Sequence, residues 1–321
     1  MNTHKIGLVG AGNIGGWLAQ LLINENLGTV VLYDKAPGLA EGKALDLTQS
    51  LAIVGRGGAI SGSDDASCLE GADILVVTAG LARQPGMSRE DLLDKNVNIF
   101  CDLAQDIKKY APEAIIIVVT NPLDLMVWVM QRLTGFPAER VVGMAGILDS
   151  GRFRLFLSSF LDICPSDIQT MVLGGHGDLM VPLLRYTTIQ GIPLKEWLKI
   201  HHMDMSALEP LVARTRQGGA ELVSLLKRGS AYAGPAASCL EMVRAVLRDE
   251  QRVFPCAAML RGEYGCHDIY AGVPVVLGRT GVKRVISLEL TSDEQEAFQQ
   301  SAQRVQELTL SVEPLLATRS V

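Results

Sequence analysis

No close Cys-x-x-Cys pair occurs among the six cysteines (Cys68, Cys101, Cys164, Cys239, Cys256, Cys266), so neither a disulfide framework nor a zinc site is indicated, and most are expected to be core thiols. Long hydrophobic runs are missing as well. Even Ala114 to Val119 is far too short to span a bilayer, and the segment before Lys5 lacks the apolar region of a signal peptide. The expectation is a cytoplasmic protein with no membrane partner. Positive charge is not in excess: the formal net charge of −6 argues against nucleic acid and leaves any anionic substrate to be attracted by a few local arginines. His201, His202 and Asp204 have no further ligand at a workable spacing, which favours a solvated turn and no metal. There is no internal repeat, low-complexity tract or Pro/Ser-rich linker.

What is present is a chain of 321 residues, 48% hydrophobic and 20% charged, which has ample material for a core and for two intimately packed domains. Its first half alternates short apolar runs with amphipathic stretches, the pattern of a doubly wound parallel α/β sheet of Rossmann type. Strands are predicted at Lys5–Val9, Thr29–Tyr33, Asp73–Thr78, Ala114–Val119 and Arg140–Met144, with helices at Asn13–Asn26, Gly38–Ala52, Ser88–Tyr110 and Asp124–Thr134. Ser88 and Asp91 form a capping-box-like start to the third helix, putting Arg89 in its first turn. After about residue 146 the texture changes. Strands at Met171–Leu173, Met180–Ile189, Val253–Leu260, Ile269–Leu277 and Lys283–Glu289 mix with helices at Glu209–Leu226, Ala236–Asp249 and Ser292–Glu313. The expected organisation is a dinucleotide-binding domain over 1–146 and an α+β substrate domain over 147–321.

Gly10-Ala11-Gly12-Asn13-Ile14-Gly15 follows a predicted strand and opens a predicted helix, the context a dinucleotide fingerprint requires. Gly10 permits the tight turn, Gly12 lets the backbone approach a pyrophosphate, and Gly15 lets helix pack on strand, while the helix N-terminus supplies free N–H groups. Asp34 ends the second strand 19 residues after Gly15, placed to accept hydrogen bonds from an adenine-ribose hydroxyl. A carboxylate there repels a 2′-phosphate, so the expected cofactor is NAD rather than NADP. The nicotinamide side is expected at Val119-Thr120-Asn121-Pro122, at the carboxyl end of a strand near the crossover crevice.

Oxidising an alcohol with NAD needs a group that takes the hydroxyl proton, and His176, flanked by glycines in Gly174-Gly175-His176-Gly177-Asp178, is the candidate. Asp149 is placed to orient it, and Arg152, three residues on, shares a helical face with Asp149 and is suited to grip a carboxylate. Singly, these residues have ordinary alternatives as a helix cap, a surface cation and a turn residue. Their joint occurrence points to a site. Arg83 and Arg89, six apart on one Pro/Gly-containing segment, suit recognition of a small dianion, because an arginine fork matches a carboxylate bidentately. A solvated surface segment is the alternative reading of that pair.

In this order the motifs resemble the lactate/malate dehydrogenase family over nearly the whole chain, and closely its lactate-dehydrogenase-type malate dehydrogenases. The resemblance is carried by Gly10 to Gly15, Gly42-Lys43-Ala44-Leu45-Asp46-Leu47, Thr78-Ala79-Gly80, Arg83 to Arg89, Asn96-Val97-Asn98, Thr120-Asn121-Pro122, Met144-Ala145-Gly146 with Asp149 and Arg152, Gly174 to Asp178, Ser230-Ala231-Tyr232 and Pro255-Cys256-Ala257-Ala258. It implies an NAD-dependent oxidation of (S)-malate to oxaloacetate in which His176 is the proton acceptor and Asp149 its partner. Arg152 holds the carboxylate next to the reacting carbon, Arg89 polarises the carbonyl on loop closure, Asn121 contacts substrate and nicotinamide, and Asn96 and Val119 to Asn121 line the cofactor.

Arg83 falls where the family's malate enzymes carry arginine and its lactate enzymes usually glutamine; Pro85-Gly86 and Arg89 anchor that register against the neighbouring Gln84. The chain departs from the usual pattern at Leu179, Gln84 and Ala82, the last two bearing on loop kinetics more than on the reaction. A homo-oligomer is implied, more often a tetramer than a dimer. Two rival expectations are a lactate or other 2-hydroxy-acid dehydrogenase and a non-catalytic NAD-sensing protein, the latter having no need of His176, Asp149, Arg152 and Arg89 together.

Overall fold

Five of the predicted apolar runs become buried parallel strands in the computed structural model, which describes residues 4–81, 89–227 and 229–317. They are β1 (Lys5–Val9), β2 (Thr29–Tyr33), β4 (Ile74–Val77), β5 (Ile115–Val118) and β6 (Val141–Gly143); a short edge strand, β3 (Ile60–Ser63), joins them. The edge strand was not legible, since Ile-Ser-Gly-Ser carries a single large apolar residue. Between the strands run α1 (Asn13–Glu25), α2 (Leu39–Ile53), α3 (Arg89–Tyr110) and α4 (Leu123–Thr134). The predicted start of α3 at Ser88, with its capping box, lies outside the described residues.

The second half contributes α5 (Gly146–Leu161), the short strands β7 (Ile168–Gln169), β8 (Val172–Leu173), β9 (Val181–Pro182), β10 (Thr188–Ile189) and β11 (Ile192–Pro193), then α6 (Leu194–Ile200), α7 (Glu209–Leu226) and α8 (Ala233–Leu247). It ends in β12 (Arg252–Arg261), β13 (His267–Gly278), β14 (Gly281–Val285) and α9 (Ser292–Ala317). The strand expected over Met180–Ile189 is in fact β9 and β10 separated by a 3₁₀ turn at Leu184–Tyr186. The buried Thr187 hydroxyl closes that turn by donating to the Leu183 carbonyl. Helix α6 and the three-stranded β11-β10-β7 sheet carry too little periodicity to be read in advance.

Among the described residues the main sheet has nine strands, in the order β14-β13-β12-β6-β5-β4-β1-β2-β3. Pairing from β3 to β6 is parallel, and β12, β13 and β14 extend the sheet antiparallel, with Ala257 opposite Gly143. The halves thus share one sheet as well as a continuous core running from Ile6 to Leu316. Arg244 of α8, also paired with Glu241 of its own helix, ties them further by pairing with Glu25 of α1. Strand order reverses between β1 and β4, and in an open α/β sheet the crevice beyond the carboxyl ends at that point is where ligands bind.

Candidate functional site

At the carboxyl end of β1 the chain turns through Gly10 at φ +104°, a left-handed value L side chains rarely adopt, and the Gly10 N–H donates to the Tyr33 carbonyl at 2.8 Å. A Cβ on Gly15 would stand 2.0 Å from the Gly10 carbonyl oxygen, so α1 packs on the turn only because that atom is missing. Gly12 differs from both. Its backbone suits any residue, and an added Cβ would meet no atom within 4 Å. Nothing in the protein requires glycine there, which leaves the ligand side of the turn as the reason.

Helix α1 has no side-chain cap and no acidic residue in its first turn, so the N–H groups of Asn13, Ile14 and Gly15 have no acceptor among the described residues. Asp34 ends β2 beside this turn, its Oδ2 accepting from the Ala11 N–H at 2.8 Å and its Oδ1 from the Ala36 N–H at 3.0 Å. A cavity of about 270 Å³ opens alongside, walled by Gly12, Asp34, Gly80, Leu81, Ile99 and Leu103. Apolar walls for a flat ring, a carboxylate at the rim and unspent N–H groups next to it fit a dinucleotide. Gly12→Ala should therefore cost no more than about 1 kcal/mol of stability, the loss of a glycine cap, while weakening NADH binding in a fluorescence titration. Wild-type affinity in that variant would place the pyrophosphate elsewhere.

On the other side of the switch point, Thr120 donates through Oγ1 to the Ala79 carbonyl at 2.7 Å, and Val119 is nearly buried. Asn121 is exposed in the crevice and joined to Pro122 by a cis peptide bond. Asn96 is tied into the backbone around it. It is fully buried, its Oδ1 accepting from Leu81 N–H at 2.8 Å and its Nδ2 donating to the carbonyls of Asn121 (3.3 Å) and Leu81 (3.4 Å). Its amide thus joins Leu81, which walls the cavity, to the backbone at Asn121.

The proton-handling group is assembled from distant parts of the chain. His176 lies in the turn between β8 and β9, with Nδ1 2.7 Å from Oδ2 of Asp149, which projects from the first turn of α5 and is 1% exposed. Arg152, one helical turn on, donates through a terminal nitrogen to Asp149 Oδ1 at 3.1 Å. Its stem passes over Gly218 of α7, where a Cβ would stand 3.0 Å from Cδ. The structure thus brings His176, Asp149 and Arg152 together. Arg83 lies outside the described residues; Arg89 opens α3, but its side chain is not among those described.

Sequence reasoning missed Asp124 and Ser301. Asp124 Oδ2 accepts the His176 backbone N–H at 2.7 Å, and Ser301 Oγ of α9 accepts the Gly175 N–H at 2.8 Å. Gly174 and Gly272 of β13 exchange backbone hydrogen bonds, so the histidine turn is fastened to three separate elements. Burial pushes the Asp124 carboxyl up to about 6, against the opposing pull of the His176 N–H and imidazole, and its Oδ1 has no partner among the described residues. A signal existed: Asp124 is the one charged residue in the buried run Leu123 to Met130. Burial by itself would lower the pKa of His176, but the charge and hydrogen bond of Asp149, followed by the charge of Asp124, outweigh it and the opposing Arg152, so the imidazolium is held above its ordinary 6.5.

Asp204 caps a 3₁₀ turn by accepting the Ser206 N–H at 2.8 Å, and His201 packs on Trp197. Among the described residues there is no cluster of three His, Cys, Asp or Glu side chains that could hold a metal ion. No helix there is long and apolar enough to cross a membrane. A cavity of about 710 Å³ opens at the opposite, amino ends of the strands, among His4, Asp73, Lys109 and Arg140, and holds none of the candidate residues.

Residues 4–143 match the family model for the lactate/malate dehydrogenase NAD binding domain, and residues 147–316 that for the family's alpha/beta C-terminal domain. Among solved structures, a malate dehydrogenase of Cryptosporidium parvum is 40% identical with a TM-score of 0.94, covering 97% of this chain and 99% of that one. A lactate dehydrogenase of Eimeria maxima, solved with NADH and oxamate, is 39% identical with a TM-score of 0.95 over 100% and 97% of the two chains. The malate dehydrogenase of Picrophilus torridus, in its apo form, is 39% identical with a TM-score of 0.94 over 99% of each.

Proposed function

As a member of the lactate/malate dehydrogenase family this chain is an NAD-dependent oxidoreductase of 2-hydroxy acids, and we propose that its substrate pair is (S)-malate and oxaloacetate. Overall likeness does not separate malate from lactate enzymes, since one of each is about equally similar. The observation that carries the malate reading is Arg83, six residues before Arg89. Pyruvate has one carboxylate and oxaloacetate two, and a second guanidinium is useful only to the second carboxylate. The segment bearing Arg83 leaves the described fold at Leu81, which Asn96 pins to the crevice, and returns at Arg89. Its leading end therefore borders the crevice.

NAD, when bound, accepts a hydride from the alcohol carbon or returns it to the carbonyl. The chain's own residues manage charge and protons around that exchange. The fingerprint turn and Asp34 would hold the cofactor's adenosine diphosphate portion, and Asn121, three residues beyond β5, would meet its nicotinamide side. The Arg152 guanidinium, fixed by Asp149 through one nitrogen, retains donors for the carboxylate beside the reacting carbon. His176, gripped at Nδ1, has Nε2 left to take the hydroxyl proton in oxidation and give it back in reduction. Asp149 fixes the tautomer and stabilises the imidazolium; Arg89 is assigned to polarise the carbonyl.

With NADH supplied, kcat/KM for oxaloacetate should exceed that for pyruvate by at least about a hundredfold, the scale set by leaving one charge of a desolvated pair without its partner. A preference for pyruvate would overturn the assignment and leave the family chemistry intact. We also place the chain in a homo-oligomer, a tetramer in preference to a dimer. Support comes from large apolar side chains on and just after α2, with Leu45 60% exposed, Ile53 86% and Val54 65%. Sedimentation equilibrium should give a mass well above the 34.5 kDa of one chain.

A further inference from the structure

Helix α2 sends one cation into the fingerprint turn. Lys43 Nζ donates to the Gly12 carbonyl oxygen at 2.7 Å, alongside the ordinary helical bond from the Gly16 N–H at 3.0 Å. The side chain reaches that oxygen by passing over Gly16, where a Cβ would stand 3.0 Å from Nζ and 3.4 Å from Cδ. Gly16 is not one of the three fingerprint glycines, and a glycine inside a helix costs about 1 kcal/mol relative to alanine. Passage of the lysine accounts for it.

The ammonium is held at a cost. Burial pushes the Lys43 pKa down, with the Asp34 carboxylate pulling the other way. Among the described residues Gly12 is its one hydrogen-bond partner, and no ion pair forms with Asp46, which lines the same outer cavity. A partly desolvated cation with one neutral acceptor and donors to spare lies beside a turn whose N–H groups are unspent.

We propose that Lys43 is a cofactor-positioning residue acting on the pyrophosphate. The Gly12 carbonyl and the Asn13 N–H belong to the same peptide unit, so an ammonium on the oxygen polarises that unit and strengthens the N–H as a donor. The same contact offsets a carbonyl dipole that would repel phosphate, adds a positive charge near it, and fixes the turn that carries the Asn13, Ile14 and Gly15 donors. The role concerns the cofactor and holds whichever 2-oxo acid is reduced.

Calorimetric titration of the full-length enzyme with NADH and with ADP-ribose, and ligand-observed NMR with adenosine, separates this role from a plain staple between α2 and the turn. Lys43→Met keeps the stem and removes the charge. It should weaken NADH and ADP-ribose about tenfold, leave adenosine unchanged, and flatten the salt dependence of ADP-ribose binding. In turnover, KM for NADH should rise with kcat held. Lys43→Arg should recover part of the loss, and Gly16→Ala, which crowds the lysine, should reproduce it in milder form. Equal weakening of adenosine and ADP-ribose, or unchanged binding of both, would overturn the proposal.

Discussion

Replacing His176 by asparagine should slow 2-oxo acid reduction by about 10²- to 10⁴-fold while leaving NADH affinity at the wild-type value. The size follows from removing the only described group poised to exchange a proton beside Arg152; the unchanged affinity follows because the fingerprint turn and Asp34 lie apart from it. The pH profile carries the sign. Reduction uses the imidazolium, which burial opposes but Asp149 and Asp124 sustain, so activity should persist above pH 6.5 before falling on the alkaline side. Oxidation uses the neutral ring and should rise through the same interval. Asp149→Asn takes away the stronger of the two carboxylate influences and should move both limbs to lower pH. Limbs that stay in place would mean that another group titrates.

The second large effect belongs to Arg83→Gln, which should lower kcat/KM for oxaloacetate by about 10²- to 10³-fold and change pyruvate by only a few-fold. Glutamine keeps a donor but supplies no charge for the far carboxylate, and an uncompensated carboxylate in a water-poor site is expensive. Both steady-state constants should be measured, since a group that aligns the substrate for reaction reduces kcat as well as raising KM. Equal losses on the two substrates would defeat the dianion argument and make Arg83 a general support of the segment.

Much of this was open to reading from residue order. A fingerprint works locally, so Gly10, Gly15 and Asp34 fall where spacing puts them, and the turn, the close packing and the strand-end acid each follow from a short stretch of chain. The pairing of Asp149 with Arg152 is legible for the same reason, three residues along one helix. Of the contacts that depend on tertiary closure, the chemistry of a proton relay pointed to His176 with Asp149, 27 positions apart, but not to the others. Asp124 reaches His176 across 52 positions and Ser301 reaches Gly175 across 126, and no periodicity encodes either. Asn96 was assigned to the cofactor by resemblance alone, and its ties to Leu81 and Asn121, 15 and 25 positions away, carry no local signal. Lys43 was visible only as part of a motif, since its reach to Gly12 depends on how α2 is laid against α1.

The three fastenings of the histidine turn have a consequence for how the enzyme comes into being. Its anchors belong to α4, β13 and α9, so as the polypeptide is made from its amino end the cofactor crevice has all its strands long before Ser301 has been synthesised. A nascent chain can thus acquire a place for the dinucleotide while its acid–base group still hangs on an unfinished support. Redox competence arrives late, with the docking of the last long helix.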